Sequence, residues 1–200
     1  LGYTWIHLDT HSTMLARISK DFQDIVERFP VIPIDDSIYS FYAILTGNKD
    51  TVYEGVPFIF RFDIPHDYPF SPPNVKYISF TRKKIHPNLY TAGRVCLSLL
   101  GTYIGPRANT INTQSGWSPV QTLESVLRSI QSLLDEEPLL YEPCADHTRA
   151  NIDEYNRIIQ HEIKECLPNY IAHARIHHPV LKSTIQDMLS NTIPTNLSTE

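Results

Sequence analysis

Cysteine is scarce in this chain, with three residues in 200: Cys96, Cys144 and Cys166. An odd and sparse set excludes a disulfide framework and points to a reducing compartment, so the expected location is cytoplasmic and/or nuclear. Basic charge is also short. Seventeen Lys and Arg against 22 Asp and Glu leave a formal net charge of −5. Phosphate binding needs a basic surface, so nucleic acid is not expected as a main partner. No uninterrupted apolar run approaches the roughly 20 residues of a membrane span, and no membrane partner is expected. The opening residues carry no signal-peptide pattern. A chain that begins at Leu1 rather than Met is expected to be a fragment or a processed product. What the chain has in plenty is proline, 15 residues gathered at loops. Its length, with 42% hydrophobic and 20% charged residues, fits one domain with a full core and some tail. No internal repeat or second core is visible.

Residues 1–12 are mixed in character and read as an N-terminal extension. Leu15, Ile18, Phe22, Ile25 and Val26 then recur at helical spacing, with Ser12 or Thr13 as the cap and Pro30 as the stop. Residues 37–46 read as a strand and Gly47-Asn48-Lys49-Asp50 as a turn. Residues 56–64 set Phe58, Phe60, Phe62 and Ile64 against Ile59, Arg61 and Asp63, the period of two of a second strand. Val75 to Phe80 is a third. Residues 81–100 show no helical period and turn at Ala92-Gly93. Residues 101–116 are polar and turn-rich, an exposed loop. Ser118-Pro119 is read as the cap of an amphipathic helix carrying Val120, Leu123, Val126, Leu127, Ile130, Leu133 and Leu134, ended by Pro138. Another helix covers 146–166, with Ile152, Tyr155, Ile158, Ile159 and Ile163 on one face, and Pro168 is expected to break it. Residues 169–190 read as a further helical stretch interrupted at Pro179, and 191–200 as a disordered tail. Helix, strands, helices in that order define an α+β domain with an antiparallel meander.

The chemistry concentrates around Cys96. A cysteine between Val95 and Leu97 reads first as a small buried apolar residue. Gly93-Arg94 and the turn-rich stretch before it argue instead for an exposed thiol. An ordinary thiol of pKa about 8.5 is only about 7% thiolate at pH 7.4, which suffices when the partner is already an activated thioester. Asn88 suits a turn, and its amide can also serve an oxyanion within reach of Cys96. His86 is followed directly by Pro87, and no cysteine-protease signature surrounds Cys96, so the histidine is read as structural, bonding within its turn. Glu142 is either a solvated carboxylate or a group that positions an incoming lysine amine. An adjacent carboxylate raises a lysine pKa, so positioning is the role that fits. Tyr141 would supply an apolar wall beside it. Cys144 with His147 and His161 with Cys166 loosely imitate zinc spacing. They are expected on diverging faces, with His173, His177 and His178 solvated or packed. No metal and no organic cofactor is expected.

Several motifs stand in register. Tyr53-Glu54-Gly55 is followed by the loop Tyr68-Pro69-Phe70-Ser71-Pro72-Pro73-Asn74-Val75. His86-Pro87-Asn88 precedes Cys96, then come Trp117-Ser118-Pro119, Ser129 to Leu134, and Tyr155-Asn156. With these, the stretch 13–166 resembles the core of the ubiquitin-conjugating enzyme family. The run from Cys96 to Pro106 resembles its large or extended members. The resemblance implies an N-terminal helix, a four-stranded antiparallel meander and C-terminal helices; 167–200, which has no match in the minimal core, is read as a helical extension and flexible tail. It implies that Cys96 accepts ubiquitin, or a ubiquitin-like modifier, as a thioester from an activating enzyme and passes it to a substrate lysine or a ligase. Asn88 and Glu142 would join Cys96 as catalytic residues, supported by His86, Pro87, Tyr141, Leu97 and Ser98. Arg17, Lys20, Phe70, Ser118 and Pro119 would meet the activating enzyme and ligases. The rival reading within the fold is a non-catalytic ubiquitin-binding module, which would need Cys96 absent or blocked.

The chain departs from the family pattern in places. Asn48, Val52 and Val56 stand where Pro, Pro and Gly are common, so the second turn is expected to be shaped differently. Ala16 replaces a basic residue of the first helix. The loop between Cys96 and Trp117 is about thirteen residues longer than in minimal members, and such a loop can choose partners. Placing Glu142 needs a one-residue gap.

Overall fold

Helix α1, Thr10–Val26, opens the computed structural model, which describes residues 10–102, 116–142, 144–177 and 179–192. It starts before the expected cap, because nothing in Thr10-His11-Ser12 breaks a helix. Ile18 and Ile25 are buried and Phe22 packs beside them, while Leu15 and Val26 stay exposed. The chain leaves the helix through Phe29, whose N–H still reaches Ile25 O, and Pro30 hands it to the sheet.

The sheet is a meander in the order β1-β2-β3-β4. Strand β2 spans Ser37–Thr46, β3 Pro57–Asp63 and β4 Asn74–Ile78, close to the three segments read as strands from sequence. Strand β1, Val31–Ile34, carries no sequence signal of its own: it is four residues long and holds Pro33. It joins β2 through Asp35 and Asp36, both at positive φ, where short polar side chains are tolerated. Register divides the side chains between two faces. Phe41, Ala43 and Leu45 pair with Phe62, Phe60 and Phe58, and Val75 and Tyr77 continue that face into β4. All of them lie in the main core. Ile44, Ile59 and Ile78 fall on the other face.

Helix α2 runs Leu123–Gln131 and is capped by Thr122, not by Ser118-Pro119. Thr122 Oγ1 accepts the Ser125 N–H at 3.1 Å while Ser125 Oγ accepts the Thr122 N–H at 3.0 Å, a reciprocal capping box. Ser118 to Gln121 form a turn ahead of it, and Val120 is 85% exposed rather than in the core. The helix ends before Leu133 and Leu134, which are buried in the segment after it. There Asn48, at one of the family departures, donates to Gln131 O at 3.1 Å and Leu134 O at 2.8 Å, so the second turn is tied to the end of α2. Gly47 beside it is required by close approach: a Cβ there would sit 1.8 Å from Tyr53 O.

Pro138 opens a short 3-10 helix, Pro138–Tyr141, instead of ending α2. Helix α3 then spans Arg149–His177, running through Pro168 where a break is expected from sequence. Proline removes one helical N–H, but neighbouring Leu167 packs against apolar clusters on both faces of the sheet, and that packing holds the helix through. Helix α4, Pro179–Thr192, begins on its proline, a favoured first position. Its Leu181 and Ile185 bury against Ile32, Ile44 and Ile59, covering the outer face of the sheet. The expected tail from 193 onward, most of the N-terminal extension and residues 103–115 of the long loop lie outside the described residues. No helix among the described residues is long and apolar enough to cross a membrane.

Candidate active site

Cys96 sits between two isolated bridges and a 3-10 turn, Ser98–Leu100, not on a strand or helix. Its backbone is fixed by Asn88. The Cys96 N–H reaches Asn88 O at 2.7 Å, and Asn88 Nδ2 donates to Cys96 O at 2.7 Å. The Asn88 amide therefore spends one donor on the cysteine's own carbonyl, while its Oδ1 is buried without a partner. The expectation of an exposed thiol is corrected: Cys96 is 6% exposed. Thr102 folds back over it, and its carbonyl accepts the Sγ–H at 3.4 Å.

His86 is engaged on both ring nitrogens. Nδ1 accepts the Asn88 N–H at 2.9 Å, which leaves the proton on Nε2 to be donated to Leu133 O at 2.8 Å. Burial disfavours the charged ring and lowers its pKa to about 4. The ring is thus a neutral strut between the Asn88 turn and the end of α2, with neither nitrogen left for a base. Pro87 and Leu97 are buried beside it, and Ser98 is exposed, its carbonyl accepting the N–H groups of Gly101 and Gly116, each at 2.9 Å. The long loop thus leaves and returns at the residues that follow Cys96.

Tyr141 lies against the His86 ring with centroids 5.3 Å apart. Its hydroxyl donates to Asp135 Oδ2 at 2.7 Å, and burial together with that carboxylate lifts its pKa to about 12. Glu142 is half-exposed and already holds an amine, Lys84 Nζ at 3.4 Å. Lys84 and Arg94 each also lie 4.5 Å from the centre of the Tyr90 ring. Cys144 is exposed, His147 bonds Glu142 O at 2.9 Å and Cys166 bonds Glu162 at 3.5 Å. Among the described residues no three His, Cys, Asp or Glu side chains converge on a point that could hold a metal. The side chains of His173 and His177, and all of His178, lie outside the described residues.

The remaining candidates form a separate patch. Lys20, Ser118 and Pro119 are exposed, and Phe70 is 68% exposed. Arg17 lies beneath them. It donates to Pro119 O at 2.7 Å, Gln121 O at 2.5 Å and Asp21 at 3.0 Å. Asp21 is buried and also takes the Tyr68 hydroxyl, while Trp117 Nε1 donates to Pro69 O at 2.7 Å. One buried carboxylate thus locks the loop carrying Phe70 to helix α1 and to the Ser118-Pro119 turn. In sequence Asp21 is one polar position among the apolar residues of the first helix. The pair it forms with Tyr68 spans 47 positions, and no local pattern announces it.

An antiparallel meander with helices on its inner face, a cysteine clamped by an Asn turn, and a Trp-Ser-Pro turn leading into the next helix stand together in this one domain. The family model described as ubiquitin-conjugating enzyme matches residues 14–166. The chain belongs to the ubiquitin-conjugating enzyme family. Among its relatives, ubiquitin-conjugating enzyme E2 Z of Danio rerio is 38% identical, over 81% of this chain and 49% of that protein. The Homo sapiens protein of the same name is 39% identical, over 81% of this chain and 46% of its own length. Ubiquitin-conjugating enzyme E2-34 kDa of Saccharomyces cerevisiae is 34% identical, over 78% and 54% respectively. The chain spans about half the length of these curated relatives.

Proposed function

We propose that this chain accepts ubiquitin on Cys96 as a thioester and passes it to a lysine or to a ligase. Cys96 thiolate attacks the thioester carbonyl that joins ubiquitin to the activating enzyme, and the activating enzyme's thiolate leaves. One thioester replaces another, so an ordinary thiol suffices and no general base at the sulfur is needed. In the second step a neutral amine attacks, the Cys96 thiolate leaves and the amine nitrogen gives up a proton. The observation that carries this reading is the clamped Cys96 backbone, with His86 bonded only to backbone groups: a site built to place a sulfur, not to deprotonate it with a histidine. Glu142, which already binds an ammonium at 3.4 Å, is the group proposed to orient the incoming lysine. The patch of Lys20, Phe70, Ser118 and Pro119 over Arg17 is the proposed docking face for the activating enzyme and ligases. The three unpaired thiols support a cytoplasmic and/or nuclear location.

The test is a charging reaction with ATP, ubiquitin and an activating enzyme, resolved on a non-reducing gel. The expected product is one ubiquitin heavier, disappears with thiol reductant and is absent for Cys96→Ala. A product only with a ubiquitin-like modifier would change the modifier and keep the chemistry. No product with several activating enzymes and modifiers would make the chain a binding module of this fold.

A further inference from the structure

The main chain on both sides of Cys96 is held from two directions. Asn88 takes the cysteine's own N–H and C=O, each at 2.7 Å. The opposite ends of the same two peptide groups, the Val95 C=O and the Leu97 N–H, belong to Thr102. Its hydroxyl donates to Val95 O at 2.5 Å and accepts the Leu97 N–H at 3.0 Å. Leu97 O, at 3.2 Å, is a second acceptor for the same hydroxyl and also takes the Thr102 N–H at 3.2 Å. Only a hydroxyl offers a donor and acceptors from a single small atom. The same residue's carbonyl then closes on the thiol, 3.4 Å from Sγ.

We propose that Thr102 is a positioning residue for Cys96 in thioester formation and in discharge. By holding the far ends of the Val95–Cys96 and Cys96–Leu97 peptide groups it completes, opposite Asn88, the fixing of the two planes that set the backbone angles of Cys96, and so the direction of the Cα–Cβ bond that carries Sγ. The sulfur loses its proton when the thioester forms. The Sγ–H contact to Thr102 O then disappears, and two atoms that present only lone pairs to each other have to separate. The hydroxyl contacts to Val95 and Leu97 involve no reacting atom and survive that step. The Thr102 side chain therefore holds the sulfur in place both as it attacks and as it leaves. In sequence Thr102 is one polar residue in the run Gly101-Thr102-Tyr103, and nothing there marks it.

This inference rests on the reading of Cys96 as the thioester residue, so the wild-type chain is charged first, and failure at that point is failure of that reading alone. Thr102→Val keeps the shape and removes the hydroxyl; Thr102→Ser keeps the hydroxyl and removes the methyl. Rates are measured as single turnovers over a range of ubiquitin-charged activating enzyme, and for discharge onto free lysine. The expected result for Thr102→Val is a fall in kcat on the order of tenfold in both steps, with KM within about twofold, since the group acts on sulfur placement and not on docking. Thr102→Ser should return within about twofold of wild type. Wild-type rates for Thr102→Val would overturn the proposal, as would a raised KM at unchanged kcat. A Thr102→Ser variant as slow as Thr102→Val would also overturn it, because the methyl and not the hydroxyl would then matter. If Thr102→Val does not melt cooperatively, Thr102→Ala is read in its place. If neither folds, the hydroxyl is a folding determinant and the positioning role falls.

Discussion

The segment around Cys96 and the outer face of the sheet are held by opposite means. Around Cys96 the chain has almost no regular structure, and hydrogen bonds from Asn88, Thr102 and His86 substitute for a sheet or helix ladder. On the outer face of the sheet the strands pair in regular register apart from one shift between Pro33 and Ile34, and what holds α4 there is apolar: Leu181 and Ile185 on Ile32, Ile44 and Ile59. Hydrogen bonds fix direction but contribute modest net stability each, about 1 kcal/mol. Apolar contacts stabilise by area and tolerate sliding. The molecule uses directional bonds where an atom must be aimed and non-directional burial where a surface need only be covered.

The largest expected effect separates aim from stability. Cys96→Ala should abolish reductant-sensitive charging altogether while shifting unfolding free energy by no more than about 1 kcal/mol, because the clamp is made to backbone groups that alanine retains. A urea melt beside the charging gel checks both halves. Unfolding of the variant would mean that the thiol itself supports the segment.

Acid probes the same region next. Folded His86 takes up its proton only at about pH 4, against 6.5 for the free ring, since burial disfavours its charged form. Between those values the unfolded chain binds more protons than the folded one. Stability from this group is therefore full above pH 6.5 and falls as pH drops toward 4, by up to about 3 kcal/mol. Urea melts from pH 7 to pH 4 should show that slope, and His86→Gln should flatten it. An unchanged slope in the variant would place the acid sensitivity elsewhere.

Asn88→Ala comes third. It leaves the buried Cys96 carbonyl without a donor, at a cost of about 2 kcal/mol, and it removes one of the bonds that hold the cysteine's backbone, while the Cys96 N–H bond to residue 88 O remains. Discharge onto lysine should slow more than charging, since attack by an amine is the harder step. Equal slowing of both steps, measured as single turnovers, would make Asn88 a structural clamp alone.

Much of this division was legible in the sequence, and the part that was not has physical reasons. Strands β2 and β3 could be read because one buried face imposes a period of two on Phe58, Phe60 and Phe62. Strand β1 could not, because four residues with a proline leave no period to see. Ser118-Pro119 resembles a helix start, yet Thr122 and Ser125 form the cap, since a reciprocal pair of hydroxyls satisfies more free N–H groups than a turn held from outside by Arg17. Pro168 predicts a break by its own chemistry, and the packing of Leu167 against both apolar clusters is a tertiary contribution that no local pattern contains. The motif His86-Pro87-Asn88 with Cys96 could be picked out as a unit from the order and type of its residues, and in the structure Asn88 is bonded to both the N–H and the C=O of Cys96. That the thiol is covered was not readable, because the cover is Thr102, a residue whose role depends on a loop folding back.

The smallest effect tests the apolar side of the comparison. Ile185 is wholly buried, in the small apolar cluster that seats α4 on the sheet. Ile185→Ala removes part of the contact to Ile44 and Ile59. Full cavity costs for such a change begin near 2 kcal/mol, but a helix held to the sheet by a small apolar cluster can detach locally before the domain unfolds, which lowers the global cost to about 1–2 kcal/mol. Amide exchange should quicken across α4 and leave the core strands β2 and β3 slow. Charging on Cys96 should stay at the wild-type rate, because the main core separates the outer face from the Asn88 and Thr102 clamp. A drop in charging with Ile185→Ala would show that α4 and the thiol are coupled, and that directional and non-directional support do not act independently in this fold.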